Sequence, residues 1–232
     1  MDMSKIRLSM VSLGPSDWEL VTIKALNRLK SVQAIAIPTK NKEGSFERSI
    51  TFKIVDRLMQ EYHFAKPLIS VYTPMKFKHS DWLNQAQTLQ EAVKEYGTIA
   101  FVTLGDAGVY STVYYLLDII KEQNPQLYER SEVIAGITSF SYASSKVKKP
   151  LCLGKSRLEL IPLIGEEVPS TKIYMRPSVG MQTSSIKDEG EIYTFENLCF
   201  EGEHIQKSKI SVVRKYMTLL IDFVKPAKGD VA

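Results

Sequence analysis

The chain has 232 residues, 44% of them hydrophobic, enough to bury one large core or two smaller ones. Its formal net charge of +4 comes from basic residues scattered rather than massed, which excludes a dedicated nucleic-acid arm and leaves room for a local cationic rim around an acidic small ligand. Cys152 and Cys199 lie outside any CxxC or Cys/His pattern, and no apolar run approaches a membrane span or a signal-peptide core, so a cytoplasmic protein with reduced thiols, no metal and no membrane contact is expected.

Ile6 to Leu13 is β-like, and a turn follows at Gly14-Pro15. Ser16, with Glu19 three residues on, has the pattern of a capping box opening a helix, with Leu20, Ile23, Leu26 and Leu29 as its buried stripe. Ala34 to Ile37 is a second strand stopped by Pro38, and a polar loop from Thr39 to Ser45 leads into a helix from Phe46 to Tyr62. Leu68 to Val71 is a third strand, Trp82 to Tyr96 a third helix and Ile99 to Leu104 a fourth strand. That strand ends at Gly105-Asp106-Ala107-Gly108, and a helix follows from near Thr112 to Lys121. The alternation predicts an α/β fold with a mainly parallel sheet wrapped by helices.

The polar stretch Glu122 to Ser131, with Pro125, has the composition of a linker between an amino-terminal α/β domain, residues 1–121, and a carboxyl-terminal one, residues 132–232. In the second domain Glu132 to Ile134, Leu158 to Ile161, Ile173 to Met175, Glu191 to Phe200 and Met217 to Val224 are predicted strands. Ser139 to Val147 is a small-residue helix. Many strands with few helices predict a mixed sheet.

A glycine turn at the carboxyl end of a buried strand presents backbone groups where α/β sheets bind ligands. Three segments have this character: Leu13-Gly14-Pro15-Ser16-Asp17, Leu104-Gly105-Asp106-Ala107-Gly108-Val109, and Ala135-Gly136-Ile137-Thr138-Ser139. In this order and spacing they resemble the tetrapyrrole (corrin/porphyrin) methyltransferases. Pro38, Tyr110-Ser111-Thr112, Pro150-Leu151 and Arg157-Leu158-Glu159-Leu160-Ile161-Pro162 make the likeness closest to the precorrin-2 carbon-20 branch. Ser16 stands where that family usually has glycine, Trp18 where it has proline or a small residue, and Ala107 where it has proline. The segment after Met175 looks trimmed.

The resemblance implies two α/β domains with S-adenosylmethionine in the cleft between them. The implied cofactor contacts are Pro15, Leu104, Gly105, Asp106, Val109, Thr138, Ser139 and Met175. It further implies methylation of a tetrapyrrole, precorrin-2 or cobalt-factor II, at carbon 20 in cobalamin biosynthesis, by a homodimer. Such a reaction needs no nucleophile or metal, which agrees with the absence of any such cluster here. The loop Met75 to His79 mixes cations with an aromatic, and Lys76, Lys78 and His79 are candidate contacts to a polyanionic macrocycle. A solvated loop is the plainer reading.

Two alternatives stay open: a sister methylase acting at another ring carbon, and a homologue that binds ligand or partner without turnover. Asp106 is favoured as a site residue because its turn has no other evident reason to be acidic, whereas Asp17 serves equally well as a helix-start residue. Gly154-Lys155-Ser156 lacks the preceding glycine and strand of a phosphate loop, and His63, His79 and His204 lack metal-ligand spacing.

Overall fold

A computed structural model describes residues 6–74, 78–153, 158–160, 170–175, 177–186, 189–197 and 201–223, in two compact units, residues 1–159 and 160–232. The first unit is built on β1 (Leu8–Ser12), β2 (Ala34–Thr39), β3 (Leu68–Tyr72), β4 (Ile99–Thr103) and β5 (Ser131–Ile134), all parallel, in the order β3-β2-β4-β1-β5. Its helices are α1 (Ile23–Ser31), α2 (Ile50–Glu61), α3 (His79–Tyr96), α4 (Val113–Gln123), α5 (Pro125–Tyr128) and α6 (Ser139–Val147). The strands are apolar on both sides and supply two cores. Leu8, Met10, Ala34, Ala36, Ile99 and Phe101 join residues of α3 and α4 in one. Val11, Leu13, Ile35, Ile37, Ala100 and Val102 join α1 and α2 in the other.

The expected capping box does not form. Ser16 takes φ +76°, and an N-cap requires extended backbone, so it cannot cap. Asp17 instead caps a single 3-10 turn, Trp18–Leu20, by accepting from the Glu19 N–H at 3.1 Å. Helix α1 starts later, where Thr22 accepts from the Ala25 N–H at 3.1 Å. This shift in phase turns Ile23 outward, 77% exposed, and adds Ala25 and Arg28 to the buried side, where Leu29 of the expected stripe is fully buried and Leu26 partly so. Pro38 does not stop β2 but lies within it, opposite Val71. The ladder to β4 ends at Ala36, so the missing N–H costs that side nothing.

The stretch expected as a linker, 122–131, holds the end of α4, the Asn124-capped helix α5 and the start of β5. Strand β5 runs in register with β1, from Leu8 opposite Ser131 to Val11 opposite Ile134, so the chain through Glu159 belongs to the first unit. The polar residues of 122–131 lie mostly on exposed positions of α4, α5 and the turn after them, and Glu132, just beyond them on edge strand β5, is tied inward. The carboxylate lies 2.6 Å from Arg28 Nε and accepts from the Ser9 hydroxyl at 2.9 Å.

The second unit contains β6 (Lys172–Met175), β7 (Glu191–Glu196), β8 (His204–Gln206) and β9 (Thr218–Phe223), in the order β6-β9-β7-β8. Every pairing is antiparallel, where a mixed sheet was expected. Parallel neighbours need long crossovers, usually helical, and the described connections hold only a 3-10 turn, Thr183–Ser185. Residues 158–160 form no strand, and Ile161 lies outside the described residues. Asp222 is fully buried and accepts from the Glu189 and Gly190 N–H groups at 2.8 and 2.9 Å. Among the described residues, no helix is long and apolar enough to cross a membrane.

Candidate functional site

Strands β4, β1 and β5 are neighbours, so the loops leaving their carboxyl ends meet. Gly14 and Gly105 exchange backbone hydrogen bonds: Gly14 N–H donates to Gly105 O at 3.1 Å, and Gly105 N–H to Gly14 O at 2.8 Å. Both take left-handed backbone, φ +72° and +74°, which glycine adopts without steric cost. The Asp106 carboxylate ties the third segment in, accepting from Gly108 N–H at 2.7 Å through Oδ1 and from Gly136 N–H at 2.6 Å through Oδ2. Buried Ser12 accepts from the Ala107 N–H at 2.9 Å. The three motif segments therefore form one hydrogen-bonded surface at the carboxyl edge of the sheet.

The glycines have different reasons to be there. A Cβ on Gly136 would lie 2.6 Å from Ser12 Cβ and 2.8 Å from Gly105 O, so this position is closed by packing. A Cβ on Gly105 would have no described atom within 4 Å, so this backbone faces open space. Leu104 beside it is 42% exposed, and Pro15 and Val109 are half-buried. Thr138 caps α6, its hydroxyl accepting from the Ser141 N–H at 3.4 Å, and Ser139 opens that helix, where first-turn N–H groups lack intrahelical partners.

Asp106 has a structural task that the sequence does not reveal, since both its oxygens hold backbone N–H groups. Its charge also acts on Tyr114, whose phenol is pushed above the ordinary tyrosine range, first by partial burial and then by Asp106 and Tyr128. Asp17 is a cap, as its plainer reading had it. Lys76 lies outside the described residues. Lys78 is exposed at the start of α3 and makes no cap bond, a cation at the helix end that disfavours cations. The ring of His79 stands edge-on to Trp82, which stacks on Tyr115 at 4.2 Å.

Met175 is on β6, an edge strand of the second unit, opposite Leu219 and 73% exposed. Gly154-Lys155-Ser156 lies outside the described residues. Among the described residues no cluster of His, Cys, Asp and Glu is suited to a metal ion. Two open hollows of about 480 and 290 Å³ border β5 and are not lined by the motif turns.

Among the cations of the first unit that stand over aromatic rings, and that the sequence did not single out, are Lys42 over Tyr72 at 5.8 Å and Arg57 over Trp18 at 5.5 Å. The backbone of Tyr110 is also unexpected from the sequence. It holds φ +47°, and nothing in a tyrosine side chain announces left-handed backbone.

The family model described as Tetrapyrrole (Corrin/Porphyrin) Methylases matches residues 7–212. A relative from Methanocaldococcus jannaschii, named "Probable cobalt-precorrin-2 C(20)-methyltransferase", is 29% identical over 152 residues, 66% of this chain and 62% of that one. The cobalt-precorrin-2 C(20)-methyltransferase of Salmonella typhimurium is 28% identical over 165 residues, 69% of this chain and 65% of that one. The chain thus spans slightly less than two thirds of these relatives' length. Among solved structures, a cobalt precorrin-4 methyltransferase of cobalamin biosynthesis matches 95% of this chain and 96% of its own with a TM-score of 0.51 at 13% identity, a likeness of fold.

Proposed function

Because the chain belongs to the tetrapyrrole (corrin/porphyrin) methylases, we propose that it is an S-adenosylmethionine-dependent C-methyltransferase of corrin-ring biosynthesis, acting on precorrin-2 or cobalt-factor II at carbon 20. The observation that supports this reading most is the fusion of the three motif turns through the Gly14–Gly105 bridge and the Asp106 bracket. The residues present fit the cofactor: Gly105 leaves a space that any Cβ would fill, beside exposed Leu104 and the start of α6. When bound, S-adenosylmethionine supplies an activated methyl group on a sulfonium.

The chain's part is then to bind and orient. Pro15, Leu104, Gly105 and Val109 offer backbone and apolar contacts, Thr138 and Ser139 offer a hydroxyl and free N–H groups, and Asp106 fixes the turns rather than moving a proton. Met175 rests on the family resemblance alone. Lys78 and His79, with Lys76, are proposed for the peripheral carboxylates of the macrocycle, each exposed contact worth at most about 1 kcal/mol. A cytoplasmic homodimer belongs to the same proposal, and sedimentation tests the dimer.

Calorimetric titration with S-adenosylhomocysteine tests the cofactor site. Mass spectrometry after incubation with the methyl donor and precorrin-2 or cobalt-factor II tests the reaction. Saturable binding and one added methyl group are expected. No binding at millimolar ligand removes the enzyme reading. A methyl group on another ring carbon selects the sister-methylase alternative, and binding without transfer to either macrocycle selects the non-catalytic one.

A further inference from the structure

Tyr110 lies between β4 and α4 with φ +47° and is 76% exposed. Left-handed backbone is unfavourable for any residue with a Cβ, and a bulky residue stays there only where its surroundings force it. Here both flanks are pinned. Ala107 N–H is held by Ser12 Oγ at 2.9 Å, and Val109 N–H by Asp106 O at 3.2 Å. On the other side the Ser111 hydroxyl lies 3.4 Å from Thr103 Oγ1 and accepts from Val113 N–H at 3.3 Å.

The described residues make no use of the ring. Tyr110 has no hydrogen bond, ion pair or ring partner among the described residues, whereas Tyr115 stacks on Trp82. A strained, unpartnered aromatic thus projects from the same turn as Gly105. Glycine or asparagine would suit the backbone better, so the local fold does not account for tyrosine.

We propose that Tyr110 is a substrate-contacting residue whose ring packs flat against a planar conjugated macrocycle at this edge of the sheet. The inference rests on the methyltransferase reading above and extends it to a residue and a mode of contact. An aromatic face with two rotatable bonds loses little freedom on contact and gains both area and stacking. Stacking does not need the hydroxyl, so phenylalanine should replace tyrosine.

The test compares wild type with Tyr110→Gly and Tyr110→Phe. It uses methyl-transfer kinetics with cobalt-factor II, absorbance titration of cobalt-factor II without donor, calorimetry with S-adenosylhomocysteine, and thermal melts. Tyr110→Gly is expected to weaken macrocycle binding and raise KM about tenfold. Its S-adenosylhomocysteine affinity should stay within about twofold, and its Tm should hold or rise because glycine relieves the backbone. Tyr110→Phe is expected to match wild type.

Unchanged macrocycle binding in Tyr110→Gly overturns the proposal, and so does a fall in Tm with both affinities lost. A Tyr110→Phe variant as impaired as Tyr110→Gly overturns the stacking contact. If wild type binds the macrocycle and S-adenosylhomocysteine but transfers no methyl group, the catalytic reading fails, and the absorbance titration alone decides the role of Tyr110. A wild type that does not bind the macrocycle overturns both.

Discussion

Adding one methyl group, Gly136→Ala, tests whether the three motif turns are one locked unit. Its Cβ would approach Ser12 Cβ to 2.6 Å and Gly105 O to 2.8 Å, against ordinary carbon contacts of about 3.5–4.0 Å. Relief requires one neighbour to retreat by about an ångström, and each is anchored. Ser12 is tied to Ala107, Gly105 to Gly14 twice, and Gly136 to Asp106. Overpacking of this kind costs about 1–3 kcal/mol, and losing the bond to the carboxylate adds a further ~1.5–3 kcal/mol if Gly136 moves away.

A total of roughly 2.5–6 kcal/mol lowers Tm by roughly 5–24 °C in a chain of this size. Gly136 has no positive φ, so alanine brings no backbone penalty and the loss comes from the packing clash and the bond it displaces. The matched control is Gly105→Ala, which meets no described atom within 4 Å but sits at φ +74°, and should cost only about 1–2 kcal/mol. Thermal and urea melts measure stability, and S-adenosylhomocysteine titration measures the site. A Gly136→Ala protein that melts within a degree or two of wild type and binds normally would show that the turns move independently, and the reasoning fails.

Glu132→Gln leaves the buried Arg28 guanidinium without its carboxylate and should lose about 3–5 kcal/mol in urea unfolding. Glu189→Gln, which breaks the exposed pair with Lys172, should leave the urea midpoint close to wild type. The raised Tyr114 phenol means that the folded state holds its proton more tightly than the unfolded one. Its contribution is therefore fully present below about pH 10 and is lost as pH rises through the raised value, and Tyr114→Phe should flatten that alkaline decline in melts. Ser16→Gly relieves φ +76° and should raise Tm by a few degrees, corresponding to about 1 kcal/mol or less; a lower Tm would mean that the serine side chain holds the turn.

The parallel sheet was legible because its strands are short, largely apolar and separated by helical periodicity, as in Ile99 to Thr103 and the helix before it, Trp82 to Tyr96. What misled were local signals overruled by neighbours at long range. Ser16 and Glu19 satisfy the capping-box spacing, but the bridge from Gly14 to Gly105 sets the path of the chain there and delays α1 to Ile23. Glu122 to Ser131 has a linker's composition because its polar residues lie mostly on the exposed sides of α4, α5 and the turn after them, while only Leu127 among its residues is buried. The three glycine turns could be located but not assigned roles, because only the fold separates the closed position, Gly136, from the open one, Gly105.

The departures from the family pattern also acquire partners. Ala107 stands where the family usually has proline, which holds a turn by fixing φ; here the Ala107 N–H, which a proline would lack, holds the turn through buried Ser12. Ser16 keeps the left-handed conformation that the family's glycine adopts freely, at a cost of about 1 kcal/mol. Trp18 packs against the α1–α2 core, edge-on to Tyr62 and under Arg57. At these positions the course of the backbone is held by hydrogen bonds and packing within this chain. A cradle for a cofactor at a strand-end turn is made of backbone groups, so it depends on that course and not on the side chains that were exchanged. The departures therefore weigh little against cofactor binding. Their effect should fall on the outward-facing residues around the cradle, where the proposed macrocycle would be selected.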